Sequence, residues 1–205
     1  MLLLVTAVPS QLPTVLDQRV QLSMDWERFE RFLELRGDAS GTRVAYLDGR
    51  LEIMSPSDSH ESIKKRLARL LEAWAEEEDV ELDGYGSWTV TDRLKEVGAE
   101  ADECYLVGSR APGKKPDLAI EVNWSTHGVD KLEVWRRLGV PEVWVWEEGT
   151  LRVFRLNTAG NYSRGKRSKL LPRLDLQLLA HFVGERNQLL AVKAFRAALR
   201  SRRGQ

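Results

Sequence analysis

Apolar residues recur in two rhythms along this chain, and together they predict interleaved helices and strands. Over 58–78, Ile63, Leu67, Leu70, Leu71 and Trp74 fall on one helical stripe, with Lys64, Lys65, Arg66 and Arg69 off it. Ser57 or Ser59 is placed to cap its start. A shorter amphipathic helix follows Ser23, read as its N-cap. Trp26, Phe29, Phe32, Leu33 and Leu35 form its apolar side, Asp25 and Glu27 sit in its first turn, and Gly37 stops it. The runs 43–47 and 50–54 flank Asp48-Gly49, the strongest short hairpin signal. Strands are also expected at 80–82 and 87–91, around Asp83-Gly84, and from Asp102 to Val107. The stretch 93–97 is ambiguous and fits a hairpin arm.

Leu118-Ala-Ile-Glu-Val122 is nearly continuous in apolar residues, as in a central strand buried on both faces. A helix over 129–138 ends on the stop signals Gly139 and Pro141. The runs 142–146 and 151–156 make a second hairpin, 157–169 is polar and basic with a turn at Ala159-Gly160, and a weakly amphipathic helix spans 188–202. This order predicts an α/β (α+β) domain with a central mixed β-sheet flanked by helices. The expected division is an N-terminal arm and linker at 1–22, a domain at 23–185, and a C-terminal helix with a basic tail at 186–205.

Composition narrows the class only a little. With 42% apolar residues the chain can build a real core. Lys plus Arg and Asp plus Glu number 31 each, so net charge gives no sign of a nucleic-acid binder, although a local basic patch can steer DNA on a neutral protein. A lone cysteine, Cys104, excludes a disulfide scaffold and a cysteine-based zinc site. No stretch approaches the roughly 20 apolar residues of a membrane span, and a cytoplasmic protein is expected. Residues 1–8 are apolar but short and read as an arm on the domain or on a partner subunit.

The chemistry concentrates between Gly98 and Gly139. Asp102 opens one strand, Glu121 sits near the end of another, and Lys131 follows in the first turn of the next helix. A charged Glu121 inside an apolar run needs a partner, because an unpaired buried carboxylate is costly. Strands pair about 5 Å apart, so antiparallel pairing would bring the two carboxylates together. Magnesium takes one or two carboxylates plus water and substrate phosphate, and an adjacent cation can orient the attacking water. By spacing alone the plain reading also stands, since carboxylates at strand ends are common and Lys131 fits a solvated helix residue. Pro116-Asp117 is a weaker candidate: Asp117 precedes Glu121 by four residues, about 13 Å along one strand, and reads as structural.

In order along the chain come Glu52-Ile-Met-Ser-Pro-Ser57 and His60, Ala101-Asp102-Glu-Cys-Tyr, and Pro116-Asp-Leu-Ala-Ile-Glu121-Val. They are followed by Lys131-Leu-Glu-Val-Trp135 and Leu138-Gly-Val-Pro-Glu-Val-Trp144. This succession resembles the Uma-two family of restriction endonucleases over roughly residues 23–185. The resemblance implies the restriction-endonuclease-like PD-(D/E)XK fold, a mixed sheet flanked by helices, and a magnesium-dependent nuclease site in which manganese could substitute. Asp102 then matches the motif's aspartate and Glu121 its second acid, both metal ligands with the Val122 carbonyl. Two departures stand out. Ala101 replaces the motif's proline, and Asn123 replaces the lysine of E-x-K. The family's lysine sits in the following helix, which makes Lys131 the matching position and its placement decisive. Glu52 and His60 are the further candidates for completing the site; a salt bridge and a helix-start hydrogen bond are their plain alternatives.

The dispersed His127 and His181 make no zinc site. Ser125 and Thr126 are possible phosphate contacts, with loop capping the plain alternative. Trp124, Trp135, Trp144 and Trp146 read as core or interface rather than as base-stacking platforms. The α-helical cations at 64–69 fit a solvated face or a track for phosphates. DNA is the expected substrate, and the apolar arm with exposed tryptophans suggests a homodimer. The rival reading is a catalytically inactive nuclease-fold domain used for nucleic-acid binding or assembly.

Overall fold

A computed structural model describes residues 16–37, 41–108, 111, 113–122 and 128–203. The chain runs β1 (Gln18–Ser23), α1 (Trp26–Arg36), β2 (Arg43–Leu47), β3 (Arg50–Ser55), α2 (Asp58–Glu78), β4 (Leu82–Gly84), β5 (Thr89–Asp92), β6 (Val97–Glu100), β7 (Glu103–Val107) and β8 (Leu118–Val122). It continues through α3 (Lys131–Leu138), β9 (Glu142–Glu147), β10 (Thr150–Leu156), β11 (Tyr162–Gly165), α4 (Leu176–Val183) and α5 (Gln188–Arg203). This is the expected α+β class, but the strands form two sheets rather than one central sheet. One has the order β1-β3-β2-β6-β5 and the other β11-β10-β9-β8-β7-β4. Ala101 and Asp102 alone separate β6 from β7, so the chain passes from one sheet to the other at Asp102. Nothing in the apolar rhythm marks that change of partner.

Local signals account for most of the elements. Ser57 caps α2 by accepting from the His60 N–H, and Asp130 caps α3 by accepting from the Glu133 N–H. Both hairpin turns place two consecutive residues at positive φ: Asp48-Gly49 between β2 and β3, and Glu148-Gly149 between β9 and β10. That is the twist-matched I′ geometry for which the Asp-Gly pair is suited.

Three differences have physical reasons. The stretch read as linker contains β1, which pairs antiparallel with β3 along the sheet edge; its Val20 and Leu22 remain exposed, so no buried face betrays it. The cap of α1 is Asp25 rather than Ser23, its carboxylate accepting from the Arg28 N–H. Within the polar 157–169 stretch lies β11, an edge strand that needs no apolar alternation. The ambiguous stretch at 93–97 divides into a 3-10 turn, Arg93–Lys95, and the start of β6.

Packing proceeds in layers. α1 covers the outer face of the first sheet through Trp26 and Phe29 on Val44, Tyr46 and Leu51. α3 wedges between the sheets, its Val134, Trp135 and Leu138 meeting Ala45 and Ala99 on one side and Ala119, Val143 and Val145 on the other. The opposite face of the second sheet, with Leu118, Ile120 and Val122, packs on α2, α4 and α5. Side chains of β8 alternate between these two cores, so Glu121 shares the α3 side with Ala119. Among the described residues Trp26, Trp74, Trp135, Trp144 and Trp146 are buried core residues rather than the surface tryptophans expected to support a dimer, and Trp88 is half-buried. No helix among the described residues is long and apolar enough to cross a membrane.

Candidate active site

The antiparallel register of β7 and β8 pairs Glu103 with Ile120, which places Asp102 one step on, across from Glu121. Asp102 is fixed to β8 by its Oδ2, which accepts from the Val122 N–H at 2.8 Å. Lys131 and Trp135 stand four apart on α3 and so share one helix face. Both grip Glu121: Lys131 Nζ donates to Oε2 at 2.7 Å and Trp135 Nε1 to Oε1 at 2.8 Å. Asp102 and Glu121 are each 1% exposed and Lys131 is 6% exposed, so the charges interact with little solvent screening.

The other side of Asp102 faces α2 and the first sheet. His60 Nε2 lies 3.1 Å from Asp102 Oδ1, and Arg43 Nε lies 3.9 Å from the same oxygen. The His60 contact is out of hydrogen-bonding alignment, which leaves Asp102 Oδ1 and His60 Nε2 buried without a hydrogen-bond partner. At its other nitrogen, His60 Nδ1 meets Asp17 Oδ2 at 3.0 Å, and Asp17 Oδ1 accepts from the Ser57 N–H at 2.9 Å. Glu52 does not touch the Asp102–Glu121–Lys131 set directly. It accepts from Arg19 at 2.7 Å and from the Val129 N–H at 3.1 Å, pinning β1 and the approach to α3.

These contacts explain the titration behaviour. Burial pushes Asp102 up, but the Lys131 charge, His60 and the Val122 N–H outweigh it and hold the carboxyl well below its usual range. Burial pushes Glu121 upward, reinforced by the Asp102 charge and opposed by Lys131. Burial favours neutral His60, yet Asp102 and Asp17 on either side raise it to about 9. Lys131 is held above its usual value, the attraction of Glu121 and Asp102 overcoming burial.

Asp102, Glu121, Lys131 and His60 thus come together, and Glu52 braces the loop beside them. Asp117 is structural, its Oδ2 accepting from the Val107 N–H at 3.0 Å. The sequence reading missed Asp17, Arg19 and Arg43, which hold His60, Glu52 and Asp102 in place; no local pattern singles them out. Trp135 was assigned to the core, and only its spacing of four from Lys131 hinted at a shared partner. Of the cations on α2, Arg66 is buried against the Val183 carbonyl, Lys64 pairs with Glu61 and Arg69 bonds Gln188, which leaves little of a phosphate track there. His181 lies on α4 against Phe182, away from the set. Asn123, Trp124, Ser125, Thr126, His127 and the apolar arm at 1–8 lie outside the described residues.

The donor chemistry fits a hard divalent cation. Asp102 Oδ1 makes no aligned hydrogen bond and is held by ion-pair contacts with His60 and Arg43, Glu121 lies across from Asp102, and a carboxylate oxygen that accepts one hydrogen bond keeps lone-pair capacity for a second partner. No group of three or more His, Cys, Asp or Glu that could hold a metal ion is present among the described residues.

Fold and site together define an α+β domain with a buried pair of carboxylates and a helix-borne lysine at the junction of two sheets. Residues 26–187 match the family described as "Uma2: Putative restriction endonuclease", and the chain belongs to that family. Among solved structures it is similar to one described as a putative nuclease belonging to DUF820 from Anabaena variabilis ATCC 29413, with 13% identity over 85% of this chain and 99% of that one and a TM-score of 0.49. No curated protein sequence matches.

Proposed function

We propose that this protein is a metal-dependent endonuclease that hydrolyses phosphodiester bonds of DNA at Asp102 and Glu121. The observation that carries this reading is the convergence of the two carboxylates with Lys131 at the junction of the two sheets. The family's description supports the reaction class.

Asp102, Glu121 and the Val122 carbonyl would hold magnesium or manganese. When bound, such a cation lowers the pKa of a coordinated water and offsets charge on the phosphate. The chain's own residues do the rest. Trp135 and Lys131 fix both oxygens of Glu121, so the acid cannot rotate away. Lys131 spends one of its three N–H donors on Glu121 and has others to hold the attacking water or a phosphate oxygen. His60 and Arg43, within ion-pair distance of Asp102 Oδ1, keep that oxygen in place. A lysine on α3 therefore takes the role that Asn123 lacks. A homodimer acting on both strands would follow from this activity and is read by light scattering.

The test is supercoiled-plasmid cleavage in magnesium. Asp102→Asn keeps an oxygen for the Val122 N–H, so it should stay folded and lose cleavage by about a hundredfold or more, the scale of removing a metal or transition-state contact. Cleavage at wild-type rate in the folded variant would sink the assignment.

A second reading rests on one specific observation: both oxygens of Glu121 are already engaged. On that reading Lys131 is a permanent replacement for the cation, and the domain binds or assembles without cutting. The two readings part at metal uptake.

A further inference from the structure

The chain's charges cancel overall but not locally. Residues 150–173 carry seven Lys and Arg and no Asp or Glu, against 31 of each sign in the whole chain. This stretch forms β10, β11 and the approach to α4. Together they line a groove of about 890 Å³ bordered by Arg152, Arg164, Lys166 and His181. Lys166, Leu176 and Gln177 also line a second hollow of about 390 Å³, which extends the groove past Arg167 and Arg173.

The position of this groove is set by strand register. Glu121 pairs with Val145, and Val145 pairs with Arg152. Arg152 therefore sits two strands from Glu121 at the same level of the sheet, about 10 Å away at ordinary strand spacing. Val153 pairs with Gly165, so Lys166 begins one strand further out, at about 14 Å. The groove thus lies at the same level of the sheet as Glu121, but its α4 wall stands on the face opposite the α3 side that Glu121 shares.

Arg93, Arg137, Arg196, Arg200 and Arg202 each meet a carboxylate, as do two cations along the groove, Arg152 with Glu147 and Arg173 with Glu78. Arg164, Lys166 and Arg167 are exposed, with no carboxylate within ion-pair distance among the described residues. A solvated basic face would need no groove. Three unneutralised cations beside a groove, Arg164, Lys166 and Arg167, fit a long polyanion, whose charges recur every few ångströms.

We infer that the groove between the β10–β11 hairpin and α4 binds the nucleic-acid backbone away from the scissile phosphate. This rests on the nuclease reading for the class of ligand. It makes Arg164 and Lys166 phosphate-contacting residues, with no part in the chemistry.

The experiment measures binding in EDTA, so that cleavage plays no part. Anisotropy of a short labelled duplex is recorded between about 50 and 200 mM salt. The variants are Arg164→Glu with Lys166→Glu, and a control of equal charge, Arg31→Glu with Lys193→Glu, both exposed and away from the groove. The groove variant should bind about tenfold more weakly or worse, and its salt slope should fall by about 1.8 if both phosphate contacts are lost. The control should stay near wild type. Equal losses in both variants, or none in either, would overturn the inference while leaving the cleavage test of Asp102 untouched. Selective weakening in the groove variant of a protein that never cleaves would uphold the groove and remove the nuclease reading. Groove-dependent binding to phosphatidylserine vesicles as tight as to DNA would overturn nucleic acid as the partner.

Discussion

Replacing Lys131 with methionine should destabilise the fold more than most single changes. The wild-type pair is a 2.7 Å contact between groups that are 6% and 1% exposed. Lys131→Met leaves Glu121 buried with Trp135 as its remaining donor and with Asp102 nearby as a like charge. Removing one member of a buried pair costs about 3–5 kcal/mol, because the surviving charge stays desolvated. Against a total stability of about 5–15 kcal/mol this is a large share. With a urea m-value of about 2 kcal/mol/M, a loss of about 4 kcal/mol moves the midpoint by about 2 M. Adding Glu121→Gln removes the stranded charge while keeping an oxygen for the Trp135 indole, so the double variant should recover much of the loss. The assay is urea unfolding of the four proteins of this cycle, followed by far-UV circular dichroism. A Lys131→Met midpoint within about 0.5 M of wild type, or a double variant as unstable as the sum of the singles, would refute the reasoning.

Other outcomes follow from the same contacts. Gly128 leaves no room for a side chain, since a Cβ there would overlap Glu52 Oε2; Gly128→Ala should cost about 1–3 kcal/mol in urea melts and be partly rescued by Glu52→Ala. Phe195, fully buried where α5 meets the core under α2, should cost about 3–5 kcal/mol when replaced by alanine, and limited proteolysis should then release the C-terminal helix. Glu133 is held down to about 2 by its hydrogen bonds to Arg136, with Arg137 adding to them. A carboxyl lowered on folding stabilises the protein above its unfolded pKa and loses that contribution as pH falls. Wild type should therefore exceed Glu133→Gln by about 1 kcal/mol near neutrality, discounted for partial exposure, and the difference should vanish between about pH 4.5 and 2 in acid-titrated melts.

Much of the site was legible because its chemistry conflicts with its setting. Glu121 stands out as a charge inside an apolar strand, and the resemblance pointed to Lys131, which contacts that acid. Asp102 was found for a similar reason, as an acid at a strand start. Its real setting, the two-residue passage between sheets, depends on which strands pair, and β6 and β7 read alike along the chain. Asp17 was invisible because β1 buries no apolar face and its partner β3 lies more than 25 residues away in sequence. Arg43 opens an ordinary hairpin arm, and its ion pair with Asp102 spans the same junction of sheets. The stretch 157–169 was noted as polar and basic, but the level of the adjoining Arg152 beside Glu121 emerges only through the Val145 and Arg152 pairings.

The central claim, a divalent-cation site built on Asp102 and Glu121, is tested most directly by manganese titration of the folded protein followed by paramagnetic resonance. Wild type should take up manganese stoichiometrically below millimolar concentration, and Asp102→Asn should lose that uptake with its circular dichroism unchanged. Absence of uptake by wild type at millimolar manganese, or equal uptake by the variant, would contradict the account.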